Sequence, residues 1–408
     1  MTREELHIQT SELIKTNKRI ALQWCTGLGK SRAAIEMANY IQDKEKESNI
    51  KILLVVAENA HKDNWKKEFI KWGLKSNDIT IECYASLPKY KESWWDLIIF
   101  DEAHHLGTDL KIDILSGIVT EYVILLSATL PDILIQVLTG IFGEFKVSKV
   151  SLKEAINEGM LPQPKVFLIP LKLNSTIYNC TITEEWGDKD KRVTYKCTYP
   201  QRWEFIRNKK KYPNVTLHIS CTQLQKYAYL TKQFEYWKKS YIKSKQEYIK
   251  NKWLQTGSQR KKFLGNIKTE YVKVLLKKLQ NKRLICFCAS IEQADYLGKD
   301  KSIHSKKSNS SEIINAFNNK EINRLFAVGM LQEGQNLEGI QAGIIVQLDD
   351  AERAFIQKFG RIIRADSPQQ YIFYYENTRD IYYLENVFEG VDEAYISTIN
   401  INSNELQY

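Results

Sequence analysis

Hydrophobic and polar positions alternate with the period of a parallel α/β sheet in the first 145 residues. Short apolar runs are separated by segments in which apolar side chains recur every three or four residues, the pattern of amphipathic helices. The predicted strands are 19–24, 51–57, 79–84, 96–100 and 122–126. Because each strand is followed by a helix, the segment predicts a buried parallel sheet with helices on its faces.

The rest of the chain divides into three further parts. Residues 151–165 contain a Gly and two Pro, which favours a linker, and 171–212 are β-rich and irregular. A helix is predicted over 222–253, a turn at 256–258 and a second helix over 262–279. Strand-helix alternation then resumes, with strands at 284–288, 324–328, 343–348 and 371–375. We therefore predict an α/β protein with a first unit over 1–148, a linker over 149–170, a β-rich stretch and basic helical hairpin over 171–282, and a second unit over 283–408.

Composition adds the class of protein and the expected compartment. The 408 residues are 43% hydrophobic and 26% charged, which indicates a globular chain with two or three cores. The longest apolar runs are far too short to span a membrane, and the first ten residues are charged where a signal peptide is apolar. The seven cysteines form no CxxC pair, so neither a disulfide framework nor a zinc site is indicated. We expect a cytoplasmic protein, of a bacterium or a phage-infected host, without a membrane partner.

Positive charge is concentrated in one part of the chain. Residues 201–283 contain 22 Lys and Arg but only four Glu, whereas the remainder has 37 basic and 45 acidic residues. A run of Lys is often no more than a solvated helix face. Confinement of so much charge to one segment favours a polyanionic partner.

A phosphate-binding loop is predicted between the first strand and the first helix of the alternating pattern. The sequence WCTGLGKS over 24–31 has the glycines that let backbone N–H groups face a phosphate, followed by a helix N-terminus. Trp24 stands where the general pattern has its first Gly, and a chance Gly-rich turn is the alternative. The predicted ATP-binding residues are Thr26, Gly27, Leu28, Gly29, Lys30 and Ser31. Lys30 would contact the β- and γ-phosphates, and Ser31 would hold Mg²⁺.

Two adjacent carboxylates follow the strand at 96–100. Asp101 and Glu102 lie at the carboxyl end of that strand, the edge at which open α/β sheets bind ligands. Asp101 is suited to the surroundings of Mg²⁺, and Glu102 to polarising an attacking water. A solvated acidic turn is the alternative. A zinc site at His104 and His105 is disfavoured because adjacent side chains diverge.

In order and spacing these motifs resemble those of superfamily 2 helicases and translocases, of the DEAH-box type and of a compact, phage-like build. WCTGLGKS resembles motif I, 52–69 motif Ia of double-strand DNA translocases, DEAH at 101–104 motif II, and Ser127-Ala128-Thr129 motif III. In the second unit 283–290 resembles motif IV, 329–340 motif V and QKFGRIIR at 357–364 motif VI. The resemblance implies two RecA-like lobes that bind ATP and Mg²⁺ between them.

The resemblance also assigns roles to residues outside the phosphate loop. If 351–364 is a helix, Gln357, Arg361 and Arg364 lie on one face, and the two arginines would reach the γ-phosphate from the second lobe. Gln9 is placed in an adenine-contacting motif. Residues that would couple the nucleotide to the nucleic acid are His104, Ser127, Ala128, Thr129, Glu333, Gly334 and Asn336. Asn336 departs from the Asp of many relatives.

DNA is predicted as the partner rather than RNA, on resemblance. His104 replaces the Asp of DEAD-box RNA proteins, motif VI begins with Gln357 rather than His, and NWKKEF follows motif Ia. The helical hairpin has an aromatic stripe, interpreted as a packed seam, and a basic face. We predict that residues 260–262 lie near the hairpin tip and bind DNA together with the basic face. The predicted DNA-binding residues are Lys232, Tyr236, Lys239, Lys243, Lys250, Arg260, Lys261 and Lys262.

The function predicted from these motifs is that of a monomeric motor. ATP hydrolysis would drive movement on, or remodelling of, duplex or branched DNA, in replication, recombination or branch migration. Three alternatives stay open: a translocase that never separates strands and serves as the motor subunit of a larger system, a nucleotide-gated DNA-binding sensor, and an RNA helicase.

Overall fold

The computed structural model describes residues 1–45, 49–107, 109–163, 165–329, 337, 339–348, 368–388 and 393–401. Within these residues the chain forms two parallel sheets and a third, small sheet. No helix in these ranges is long and apolar enough to cross a membrane. The prediction of an α/β protein with two parallel-sheet lobes is confirmed.

The first lobe is a six-stranded parallel sheet covered by helices on both faces. The sheet order is β3-β2-β4-β5-β1-β6. Its strands are β1 (Arg19–Trp24), β2 (Lys51–Val56), β3 (Asp78–Cys83), β4 (Trp94–Asp101), β5 (Val119–Ser127) and β6 (Lys146–Val150). Its helices are α1 (Arg3–Thr16), α2 (Lys30–Lys44), α3 (Asn59–Trp72), α4 (Asp109–Leu115) and α5 (Asp132–Phe142). The central strands are buried almost throughout, as a sheet covered on both faces requires.

The second lobe begins earlier than we predicted. After α6 (Leu152–Asn157), β7 (Lys165–Leu171) pairs in parallel with a strand near the end of the chain, although we assigned most of it to the linker. The described strands of this sheet follow the order β12-β13-β11-β14-β15-β7-β16. Those after β7 are β11 (Leu284–Phe287), β12 (Ser302–Ile303), β13 (Arg324–Ala327), β14 (Ala342–Ile345), β15 (Gln369–Tyr375) and β16 (Ile396–Thr398). The helices are α11 (Ile291–Gly298), α12 (Ser310–Asn318) and α13 (Arg379–Phe388).

The part of the chain between β7 and the basic helices forms a small sheet. It consists of β8 (Cys180–Trp186), β9 (Val193–Thr198) and β10 (Val215–Cys221), in the order β8-β10-β9. Buried side chains alternate along β10, and α7 (Arg202–Arg207) lies between β9 and β10 in the sequence. Phe205 of α7 packs against Tyr195 and Tyr212, so this sheet has a small core of its own.

Three helices follow β10: α8 (Gln223–Ser244), α9 (Glu247–Asn266) and α10 (Thr269–Lys278). The predicted hairpin turn at 256–258 was wrong, because the chain reverses at Lys245 and Gln246. Lys245 adopts the left-handed conformation that ends α8. Gly257 lies inside α9, where a Cβ atom would come within 3.1 Å of the Phe234 ring. The glycine that suggested a turn therefore allows two helices to approach closely.

The base of this hairpin is fixed to the second sheet by buried polar contacts. Lys268 is buried and donates to Gln347 Oε1 (2.9 Å), the Phe373 carbonyl (3.1 Å) and Asp380 Oδ2 (2.7 Å). Gln293 Nε2 donates to the Gly265 carbonyl at 2.9 Å. Because these buried groups hydrogen-bond directly to one another, the hairpin base and the second lobe form a continuous packed unit.

Candidate nucleotide site and nucleic-acid surface

The loop between β1 and α2 has the shape of a phosphate cradle. Gly27 (φ 100°) and Gly29 (φ 88°) both adopt the left-handed conformation, which glycine takes without a steric cost. Within the described residues no side chain caps the N-terminus of α2, so its first amides can face an anion. Lys30 Nζ lies across the loop and donates to the Trp24 carbonyl at 2.9 Å.

The departure of this loop from the general pattern has a structural reason. Trp24 is buried, and its indole N–H donates to Ser148 Oγ at 2.9 Å, which ties the end of β1 to the edge strand β6. The backbone N–H of Cys25 donates to the Val150 carbonyl at 3.0 Å. Trp24 is therefore a core residue of the first lobe, and the glycines that shape the loop are those at 27 and 29.

Helix α1 supports the phosphate loop through His7, which we did not predict. The buried His7 Nε2 lies 2.8 Å from the Leu28 carbonyl, and a carbonyl can only accept, so this nitrogen carries the proton. A Cβ atom at Gly29 would come within 2.9 Å of the same His7 nitrogen. Gln9, which we assigned to adenine contact, is exposed on α1, and its role stays a prediction. The sequence signal for burial of His7 was its helical spacing from the apolar residues Leu6, Leu13 and Ile14 of α1.

The two predicted acidic residues lie at the end of β4, as the sequence indicates. Asp101 Oδ2 accepts a 2.8 Å hydrogen bond from the Trp65 indole of α3, and Oδ1 accepts from the Glu102 N–H at 3.1 Å. Burial, and next the neighbouring Glu102 carboxylate, raise the pKa of Asp101 above its usual range. A bound divalent cation would reverse that cost by stabilising the carboxylate. The donor set of Ser31, at the start of α2, and Asp101 therefore fits Mg²⁺.

His104 lies between Glu102 and the end of β5. His104 Nδ1 lies 3.4 Å from Glu102 Oε2 and 3.1 Å from Ser127 Oγ. The Ser127 hydroxyl donates to the Thr129 carbonyl (2.8 Å) and accepts from the Thr129 N–H (3.2 Å). Because the Ser127 hydroxyl donates its proton to the Thr129 carbonyl, Ser127 Oγ can only accept from His104. The Nδ1–H of His104 is therefore the donor in that hydrogen bond. The structure thus places His104 next to both Glu102 and Ser127, which Ala128 and Thr129 follow in the chain, and the coupling role of these residues stays a prediction.

The second-lobe part of the predicted site lies outside the described residues. This applies to Glu333, Gly334 and Asn336 of motif V and to Gln357, Arg361 and Arg364 of motif VI. Their predicted roles therefore stand on the sequence.

The hairpin is held together by aromatic side chains, as the seam interpretation predicts. Trp253 of α9 stacks on Tyr241 at 5.7 Å and contacts Phe234 at 6.0 Å. Tyr248, another aromatic residue of this segment, is instead exposed beyond the chain reversal and takes no part in the seam. The two helices form a rod in which one side of α8 is used for packing.

The other side of α8 is basic and exposed. Lys232, Tyr236, Lys239 and Lys243 are all solvent-exposed and follow one another at helical spacing, so they form a stripe along the rod. Lys250 lies on α9 and pairs with Glu247 at 3.4 Å. We refer to Lys232, Tyr236, Lys239 and Lys243 as the α8 stripe.

The predicted position of residues 260–262 was wrong. They lie in the second half of α9, towards the hairpin base rather than the tip. Arg260 is only 6% exposed, and its guanidinium stacks 4.3 Å from the centre of the Phe234 ring. It stabilises the contact between α8 and α9 and is not available to a phosphate in this arrangement. Lys262 is exposed and Lys261 is half-buried.

Comparisons with known proteins agree with this architecture. The family model of the type III restriction enzyme res subunit matches residues 2–93, and that of the helicase conserved C-terminal domain matches residues 267–366. No curated protein matches the sequence. S. cerevisiae Dbp5 bound to RNA and ADP BeF3 has a similar structure, with a TM-score of 0.58 and 11% identity over 97% of this chain and 89% of that one.

A second similar structure is the ATP-dependent Type ISP restriction-modification enzyme LlaBIII bound to DNA. Its TM-score is 0.57 at 12% identity, and the match covers 98% of this chain but 31% of LlaBIII. At such identities the likeness establishes a common fold. Together with the two domain matches, in this order along the chain, it indicates a superfamily 2 helicase. Helicase domains of this kind imply a nucleic-acid-dependent ATPase.

Proposed function

We propose that this superfamily 2 ATPase is a motor of the DEAH-box type that moves on, or remodels, duplex or branched DNA. The observation that carries the proposal is the combination of two sites in one chain. One is the phosphate loop together with Glu102, whose carboxylate lies 3.4 Å from the ring of His104, and the other is the exposed α8 stripe.

The nucleotide chemistry follows from the described first-lobe residues. Backbone N–H groups of 27–31 would bind the phosphates of ATP, with Lys30 turning from the Trp24 carbonyl to the β- and γ-phosphates. Ser31 and Asp101 would hold Mg²⁺, which neutralises charge on the phosphate oxygens. Glu102 would orient the attacking water and accept its proton. His104 and Ser127 would couple changes at the Glu102 carboxylate to the surface that binds nucleic acid.

The structural relatives do not decide between DNA and RNA, since Dbp5 is bound to RNA and LlaBIII to DNA. The α8 stripe presents three exposed lysines, which suit phosphates and give little sequence specificity. The match to a restriction-enzyme subunit over 2–93 favours DNA, and it also supports the alternative of a translocase that moves along duplex DNA without separating strands.

Steady-state ATPase measurements test the proposal. The activity is measured without nucleic acid and then with single-stranded, duplex, forked and four-way DNA and with single-stranded RNA, using Lys30→Ala and Glu102→Gln as inactive controls. We expect the largest stimulation with duplex or branched DNA and none in either variant. A strand-displacement assay on the forked substrate then separates a helicase from a translocase.

Other outcomes would select the alternatives. Stimulation by RNA alone would contradict the DNA assignment. Slow hydrolysis that does not change with any nucleic acid, together with nucleotide-dependent DNA affinity, would indicate a sensor instead of a motor.

A further inference from the structure

The small sheet carries a basic aromatic surface that is separate from the α8 stripe. Trp203 of α7 is 46% exposed, although tryptophan is among the most costly side chains to leave in water. Basic side chains surround it on α7 and on the turn that follows. We define the Trp203 patch as Arg202, Trp203, Arg207, Lys209, Lys210 and Lys211.

The indole of Trp203 is held in place from below by Arg202. The Arg202 guanidinium lies 3.5 Å from the centre of the Tyr199 ring and 4.9 Å from that of Trp203. Arg202 itself is only 6% exposed, so this stack is part of the packed structure of the small sheet. A tryptophan fixed in this way loses little conformational freedom when a flat ligand stacks on its exposed part.

The charge around Trp203 is predominantly positive. Residues 202–211 contain five basic side chains and a single acidic one, Glu204. Arg207 lies one helical turn from Trp203, with its guanidinium 6.0 Å from the ring centre, and Lys209, Lys210 and Lys211 are exposed in the next turn of chain. Such a cluster repels itself in the absence of an anion, so it favours a ligand that brings several negative charges.

The turn that carries these lysines is also firmly positioned. The Trp186 indole donates to the Tyr212 carbonyl at 2.8 Å, and the Asp188 N–H donates to Asn214 Oδ1 at 2.7 Å. Lys209 Nζ lies 5.5 Å from the centre of the Trp186 ring. The patch is therefore a preformed surface on a small sheet, with an aromatic platform at one end and lysines at the other.

We propose that the Trp203 patch binds an unpaired segment of nucleic acid, with a base stacked on Trp203 and the adjacent phosphates on Arg207 and the lysines. Stacking on a side chain requires a base that is not already between two neighbours, which excludes intact duplex as the ligand of this patch. Aromatic platforms combined with a basic track bind single strands with little sequence preference. The inference rests on the proposed function and deepens it by naming a single-strand subsite.

The patch and the α8 stripe belong to one structural unit. The chain passes from β10 directly into α8, and Tyr229 of α8 packs against the core of the small sheet. An unpaired strand on the Trp203 patch and a paired region on the α8 stripe would thus be held by the same rigid body. This arrangement suits a junction between single and double strands.

Equilibrium binding without nucleotide tests the inference on the full chain. Fluorescence anisotropy is measured with a labelled oligo-dT of 12 nucleotides, an oligo-U of the same length and a blunt 12-base-pair duplex. We expect Trp203→Ala to weaken binding of the single strand about five- to a hundredfold and of the duplex less than about twofold. Trp203→Phe retains an aromatic ring and should restore most of the affinity. Trp94→Ala, which removes another half-exposed tryptophan (52%) on the first lobe, serves as the matched control.

Salt dependence supplies a second readout. Replacing Lys209, Lys210 and Lys211 together by Gln should reduce the slope of log affinity against log salt by about 0.7 for each phosphate that these lysines neutralise. Equal reductions of single-strand and duplex affinity in Trp203→Ala would overturn the inference, because the patch would then not select unpaired bases. No reduction in Trp203→Ala would also overturn it and leave a protein partner as the ligand of this surface. The dT and U arms show whether the subsite distinguishes DNA from RNA.

The two proposals can fail separately. Because binding is measured without nucleotide, Trp203-dependent binding of single strands with no stimulation of ATPase by any nucleic acid would contradict the proposed motor alone. Stimulation by duplex or branched DNA combined with unaltered single-strand binding in Trp203→Ala would contradict the single-strand subsite alone.

Discussion

The nucleotide edge of the first sheet and the basic hairpin are built in different ways. At the nucleotide edge specific hydrogen bonds orient the polar groups: Trp65 orients Asp101, Ser127 orients His104, and His7 supports the phosphate loop. In the hairpin, aromatic contacts such as Trp253 on Tyr241 hold two helices together, and the lysines of the α8 stripe extend into solvent. Phosphoryl transfer needs fixed geometry, whereas contact with a phosphate backbone needs mainly charge on a stable support.

This difference predicts two kinds of response to substitution. At the nucleotide edge, removal of one hydrogen bond should have a large effect that no neighbouring residue replaces. Along the α8 stripe, effects should be small for each lysine and close to additive. Substitutions in the two regions test this contrast, beginning with the largest expected effect.

Glu102→Gln should reduce kcat for ATP hydrolysis by about 10²- to 10⁴-fold, because an amide of the same shape cannot accept a proton from the attacking water. ATP binding should change little, since the phosphate loop is unaltered. Single-turnover hydrolysis and nucleotide titration measure the two effects. Glu144→Gln, an exposed carboxylate of the same lobe, is the matched control. A reduction of less than about tenfold would show that Glu102 is not the catalytic base.

Lys268 belongs by sequence to the basic hairpin segment, but, like the polar residues of the nucleotide edge, it is held by hydrogen bonds to specific partners. Lys268→Met tests the effect of removing these bonds. Burial lowers the pKa of Lys268, which the partner Asp380 opposes. Removing the ammonium leaves Asp380 buried without its countercharge, which costs about 3–5 kcal/mol. We expect a clear fall in the urea midpoint of the unfolding step that includes the second lobe.

The control for this variant lies on α10, the helix that follows Lys268. Lys273 of α10 pairs with Glu270 at 3.0 Å near the surface, so Lys273→Met should cost no more than about 1 kcal/mol. Equal midpoints for the two variants would contradict the view that Lys268 fixes the hairpin base to the second lobe.

Lys268 also shows what the sequence could not predict. By composition it counts among the charges that favour a polyanionic partner, yet it is buried because Gln347 and Asp380, far away in the chain, converge on it. Arg260 and Gly257 mislead in the same way, since contact with Phe234 decides their roles. Long-range packing overrides local composition at each of these positions.

The strands and the nucleotide motifs were predictable because their signals are local. A run of buried residues defines β1 and β4, and the residues that follow each run fall at the same sheet edge by the geometry of parallel strands. The support that Trp65 and His7 provide depends on which helices lie beside those strands. No periodicity within α1 or α3 specifies the partner of an indole or an imidazole, so these contacts required the structure.

Trp65→Phe should weaken the apparent affinity for Mg²⁺ about tenfold in ATPase titrations, because the indole N–H that orients Asp101 Oδ2 is removed while the ring is retained. Trp72→Phe removes a similar bond from an indole to Glu68 (2.8 Å) on the same helix, away from Asp101, and is the matched control. A change in kcat at saturating Mg²⁺ without a change in Mg²⁺ affinity would argue that Trp65 acts on something other than the metal ligand.

The smallest expected effect for each residue concerns the α8 stripe. Replacing Lys232, Lys239 and Lys243 together by Gln should lower the slope of log duplex affinity against log salt by about 2 to 3, since each phosphate contact on duplex DNA contributes about 0.9. Each single substitution should contribute about a third of that change, because exposed lysines at this spacing act almost independently.

The matched control replaces the exposed Lys146, Lys149 and Lys153 of β6 and α6, which removes the same net charge from the first lobe. A slope that falls equally in both triple variants would mean that total charge, and not the hairpin, determines the affinity. An unchanged slope in the α8 variant would remove the hairpin from the DNA-binding surface and leave the Trp203 patch as the basic surface to examine.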